Sequence, residues 1–128
     1  MGQTKWMDAQ VHTRCIYNLL GEVLDLSQQL ADALDRQDQV TIQMLLGMRE
    51  EPIQNLAKRR EILIQMLGDL PTEESERLRA LLNGAAAETD EEIGLAQQVT
   101  ANARLMQRVQ ELDQRINRKI THEKSIYP

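Results

Sequence analysis

Three observations predict an all-α protein. Leu, Met, Gln, Glu, Arg and Ala, all good helix formers, dominate the 128 residues. No run of β-branched and aromatic residues marks a strand, and Phe is absent. Apolar residues return every three or four positions through long stretches, which sets them on one face of a helix. A chain of this length is one domain by default, so residues 1–128 are read as a single helical domain. The expected architecture is an elongated antiparallel bundle of three long helices plus one short helix, coiled-coil-like in its packing.

The first helix is expected from Thr4 to Arg36. Ile16, Leu19, Val23, Leu26, Leu30 and Ala33 form a heptad-like seam, widened by Leu20, Leu24 and Leu34. That width suits a helix with two neighbours. Before Ile16 the apolar pattern thins to Trp6, Met7 and Val11, so these first turns either fray or dock elsewhere.

Asp35 to Asp38 is a polar break, and Asp38 suits the N-cap of a second helix, Gln39 to Gly68. So short a connection turns that helix antiparallel to the first. Gly47 and Pro52 weaken its middle, where proline removes a backbone donor and crowds the Met48 carbonyl. A kinked continuous helix is favoured over a break because no turn-forming cluster separates the halves.

Gly68-Asp69-Leu70-Pro71-Thr72 is the clearest boundary, with Thr72 as the expected N-cap of a short helix ending near Leu82. Asn83-Gly84 reads either as its end or as a bend, since Ala85-Ala86-Ala87 can bridge helically into the last helix. That last run, Thr89 to Lys124, has Thr89 and Glu92 at capping-box spacing. Its stripe passes through Leu95, Val99, Asn102, Met106, Val109, Leu112, Ile116 and Ile120. The tip, Ser125 to Pro128, is expected to fray.

The formal charge of −5 speaks against nucleic acid as the main partner, because a phosphate backbone asks for a basic face. Residues 104–128 are the exception, with six cations to three acids. Cations late in a helix answer its dipole. Cys15 is the only cysteine, which fits a reducing compartment. With neither a basic-then-apolar leader nor an apolar stretch of spanning length, a cytoplasmic protein without membrane insertion is expected.

Chemistry finds little footing. His12 and Cys15 lie one turn apart, but a tetrahedral zinc site needs three or four ligands and His122 stands alone. Cys15 has neither a base nor an oxyanion site signalled beside it. The carboxylates lack the Glu-x-x-His spacing of a di-iron bundle, and no phosphate-binding glycine loop occurs. No enzyme, cofactor or metal is expected. Asn102, on the apolar stripe, leaves two readings open: it sets the register inside the bundle, or it hydrogen-bonds a bound segment on an open face.

The organisation resembles the FlgN-type flagellar export chaperones, within the wider group of type III secretion chaperones. The run LSQQLADALDRQD, ending the first helix, is similar to the close of the family's opening helix. REEPIQNLAKRRE, from Arg49 to Glu61, resembles its charged second helix. TANARLMQRVQELDQRIN is like its C-terminal helix, where Asn followed by an aliphatic pair is common. The resemblance implies a chaperone that keeps hook-filament junction (hook-associated) proteins unpolymerised and delivers them to the export gate. It also implies client binding by the C-terminal helix, which falls here on Leu105, Met106, Val109, Leu112, Ile116 and Ile120. Two other classes use the same stripe: a structural coiled-coil homodimer, and an adaptor or regulator without a secreted client.

Overall fold

The structure, a computed structural model, describes the backbone of residues 2–126 and the side chains of residues 5–121. It is all-helical, with α1 Gly2–Asp35, α2 Gln39–Asp69, α3 Thr72–Leu82 and α4 Asp90–Ile126. Of the tip expected to fray, Ser125 to Pro128, the backbone of Ser125 and Ile126 continues α4, and Tyr127 and Pro128 lie outside the described residues, as does the side chain of His122.

Local chemistry explains where each helix stops. At the end of α1, Asp38 N–H donates to the Ala33 carbonyl and Gln37 N–H to that of Leu34, with Gln37 at φ 56°. This is the Schellman arrangement, here without the glycine that usually occupies the left-handed position. Asp38 then caps α2: its carboxylate accepts from Thr41 N–H at 3.2 Å and from the Thr41 hydroxyl at 2.6 Å. These bonds, the hydroxyl's first, hold the Asp38 carboxyl below its ordinary value.

Helix α2 runs unbroken through Gly47 and Pro52, and Pro52 is buried. At the next boundary the expected cap is corrected. Pro71 rather than Thr72 occupies the N-cap, with no side-chain cap bond, because Thr72 is already the first helical residue. Ser75 ties the corner instead, its hydroxyl donating to the Leu67 carbonyl at 2.6 Å. Asn83-Gly84 is a true end: Ala85 N–H donates to Ala80 and Gly84 N–H to Leu81, with Gly84 at φ 100°. A helical bridge through Ala85–Ala87 is excluded by this second Schellman turn.

Helix α1 is the centre of the packing, with α4 along one flank and α2 along the other. Gln10 lies over Gly94, Thr13 meets Asn102 and Asp35 meets Lys119, so α1 and α4 run in the same direction. Arg59 meets His12 and Arg49 meets Asp113, so α2 runs against both. Gly94 leaves room for the Gln10 side chain of α1, whose amide oxygen would stand 2.6 Å from a Cβ there.

Two apolar clusters result. The larger joins Leu20, Val23, Leu24, Leu30, Ala31, Ala33 and Leu34 of α1 to Ile42 and Leu45 of α2 and to Leu105, Val109, Leu112 and Ile116 of α4. The smaller sits at the α3 end, where Trp6 and Ala9 meet Leu63, Leu78, Leu81 and Leu95. Trp6 therefore docks under α3 rather than fraying, and Lys5 stands over its ring at 5.0 Å. Among the described residues no helix is long and apolar enough to cross a membrane.

Candidate functional site: a groove between α2 and α4

Both α2 and α4 pack on α1, yet they share no extended backbone contact with each other. The consequence is a groove between them with α1 as its floor. It opens near Ile16, which packs against both apolar clusters. Thr13, Ile16 and Leu20 make the floor; Leu63, Ile64 and Leu67 of α2 and Val99, Asn102 and Met106 of α4 make the walls. Leu82 and Asn83 close the α3 end, and Arg60 is the one charged residue of the lining. The cavity is about 450 Å³ and open to solvent along one side.

Asn102 stands at the junction of floor and wall. Its amide nitrogen donates to the Thr13 carbonyl at 2.8 Å, and its oxygen accepts from the Gln98 amide at 3.0 Å. Both ends of the side chain are thus used within the chain. Of the two readings of Asn102, register between α1 and α4 is the one this geometry carries.

The six residues that the resemblance assigned to a client fall differently. Leu105, Val109, Leu112 and Ile116 are each no more than 9% exposed and belong to the larger cluster. Ile120 and Met106 pack against that cluster while partly exposed. The wide apolar face of α1 thus covers the stripe at Leu105, Val109, Leu112 and Ile116. Leu95 is buried in the smaller cluster, and Val99 both packs against that cluster and lines the groove. Met106 is the one residue of the six that the structure brings to an open apolar surface.

Arg60, Ile64, Leu67, Leu82 and Asn83 were missed as lining. The available signal was Ile64 itself, an apolar residue outside the main stripe of α2. His12 and Cys15 form no constellation. Arg59 can only donate, so His12 Nδ1 accepts its bond at 2.9 Å. Among the described residues no group of three or more His, Cys, Asp and Glu side chains is placed to hold a metal ion.

The strongest electrostatic feature lies at the α3 end. Arg77 of α3 grips Glu92 of α4, with Nε 3.0 Å from Oε2 and a terminal nitrogen 2.5 Å from Oε1. Glu92 is only 4% exposed and also accepts from the Glu88 N–H at 3.0 Å. The Arg77 bonds hold its carboxyl below the ordinary range, against the opposing pull of burial. Lys5–Glu74 and Arg77–Glu88 complete the charge pairs around α3.

Fold and groove define a helical protein with an open apolar groove on its surface. Compared with protein-family models, curated proteins and solved structures, the chain gives no match.

Proposed function

We propose that this chain is a protein-binding helical chaperone of the FlgN export type. In this reading it holds an amphipathic segment of a hook-associated client in the cytoplasm and aids its passage to the export gate. The client class comes from the resemblance of the three sequence runs quoted above. The observation that supports the mechanism is the groove between α2 and α4, an apolar cavity left open at the α3 end because both helices pack mainly on α1 and meet each other through the Arg49–Asp113 pair farther along. An elongated bundle of three long helices with one short one suits this role, since a fourth long helix laid in the channel would complete the layer around α1.

Client side chains would enter between Ile64 and Leu67 on one wall and Val99 and Met106 on the other. A client segment that folds only on binding contributes less affinity per unit area, which eases later release. The test is fluorescence anisotropy of a labelled peptide from the C-terminal segment of a hook-filament junction protein, titrated with the full chain. Saturable binding that Ile64→Asp or Met106→Asp weakens about tenfold supports the proposal. Binding untouched by both substitutions, or no binding at all, overturns it.

A further inference from the structure

We infer that two copies of this chain pair through the exposed face of α2, antiparallel to each other about a two-fold axis near residue 55. The face is a six-position seam: Leu46, Glu50, Ile53, Ala57, Arg60 and Ile64. Its steps alternate four, three, four, three, four, the heptad spacing of a coiled coil rather than the mixed pattern of a core helix. All six are exposed, and Leu46, Ile53 and Ile64 keep 36, 45 and 59% of their surface. The buried residues of α2, Ile42, Leu45, Pro52 and Leu63, are a separate set.

The occupant follows from the order of residues within the seam. Read from either end it has the same shape: apolar, charged, apolar, apolar, charged, apolar. The two charges have opposite signs. Antiparallel pairing about residue 55 sets Leu46 against Ile64 of the second copy, Glu50 against Arg60, and Ile53 against Ala57. Each layer joins an a-type to a d-type position, as antiparallel coiled coils require. Every apolar residue then meets an apolar one, and the two-fold makes the Glu50–Arg60 ion pair twice. A parallel pairing in register would instead set Glu50 against Glu50 and Arg60 against Arg60.

Both charges are free to make these bonds. Among the described residues neither Glu50 nor Arg60 takes part in an ion pair within the chain. Neither has an opposite charge three or four places away on α2: Glu50 has Leu46, Gly47, Ile53 and Gln54, and Arg60 has Leu56, Ala57, Leu63 and Ile64. The seam is about 27 Å long at the rise of an α-helix, which suits a reversible dimer of micromolar rather than nanomolar affinity. It does not depend on the client reading. It does share Arg60 and Ile64 with the groove, so a client helix and a second copy would compete.

The experiment is sedimentation equilibrium of the full chain over a wide concentration range, with three variants. Wild type is expected to move from monomer to dimer. Glu50→Arg and Arg60→Glu each set like charges opposite one another twice, and are expected to weaken the dimer roughly tenfold or more. The double variant Glu50→Arg/Arg60→Glu restores both pairs with their signs exchanged, and is expected to recover the wild-type mass. Circular dichroism on each variant checks that these exposed substitutions leave the helices intact. A wild type that stays monomeric overturns the inference, including one that gains mass only with a client peptide. Single variants that dimerise like wild type, or a double variant that fails to recover, overturn it as well.

Discussion

Arg77 and Glu92 meet as a two-point fork, at 3.0 and 2.5 Å, on a carboxylate that is almost wholly buried. The pair joins α3 to the first turn of α4 across the non-helical residues 83–89. Arg77 also donates to the Ala86 carbonyl at 2.9 Å, so the guanidinium organises the connection itself. The Glu92 carboxylate lies at the N-terminal end of α4, where the helix dipole favours negative charge.

This pair makes stability depend on acid. The folded Glu92 carboxyl titrates below its ordinary 4.5, so its contribution is complete above that value. As pH falls through the folded value, the folded state must take up the proton and the contribution disappears. Asp38, held below 3.8 by Thr41, acts in the same direction at lower pH. Urea midpoints measured from neutral to acid pH are expected to be flat above about 4.5 and to fall below it. Glu92→Gln is expected to lower the neutral plateau and flatten the acid limb. An unchanged acid limb in that variant would show that other carboxyls govern it.

Gln37 carries a left-handed backbone at φ 56° where glycine is the usual residue. A side chain in that conformation costs about 1–2 kcal/mol, partly offset by the greater freedom of glycine in the unfolded chain. Gln37→Gly is therefore expected to stabilise the protein by roughly 0.5–1 kcal/mol. The check is a higher urea midpoint with an unchanged slope, since no surface exposed on unfolding is altered.

Asn102 contributes register through the Thr13 carbonyl. Asn102→Ala removes both of its bonds and is expected to cost about 1 kcal/mol. Asn102→Asp is more informative, because it turns a carboxylate oxygen toward that carbonyl. It should be less stable than the alanine variant at neutral pH and recover on acidification, as the protonated acid regains a donor. Thermal unfolding at two pH values reads the difference, and equal losses at both would remove the donor role.

The polar break at Asp38 and the boundary at Pro71 were legible in the sequence because their causes are local. Asn83-Gly84 reads there as either an end or a bend, and the α3 cap falls on Pro71 rather than Thr72. What covers each helix was not legible. The stripe of α4 reads equally as a docking face or a core face, and only the width of the α1 seam decides between them. Glu92 was visible as a capping residue, but its partner lies 15 positions back on another helix. Half of the groove was visible: Val99, Asn102 and Met106 stand on the α4 stripe. The α2 wall was not, because Ile64 stands outside the buried stripe of α2, and the heptad spacing it shares with Leu46, Ile53 and Ala57 marks an exposed seam rather than the wall of a groove.

Ile116 and Met106 now separate core from site. Ile116 is 2% exposed within the larger cluster, so Ile116→Ala leaves a cavity and is expected to cost about 2–4 kcal/mol. Met106 borders the open groove, so Met106→Asp can keep its carboxylate in water and should cost less than about 1 kcal/mol. In peptide binding the order reverses. Met106→Asp lowers affinity, whereas Ile116→Ala binds normally at temperatures where it remains folded. Urea unfolding and anisotropy on the same two proteins test both halves. Should Ile116→Ala lose binding while still folded, the client would have to reach the stripe that α1 covers. Helix α4 would then have to leave α1 for binding, and the Thr13–Asn102 and Asp35–Lys119 contacts would have to break with it.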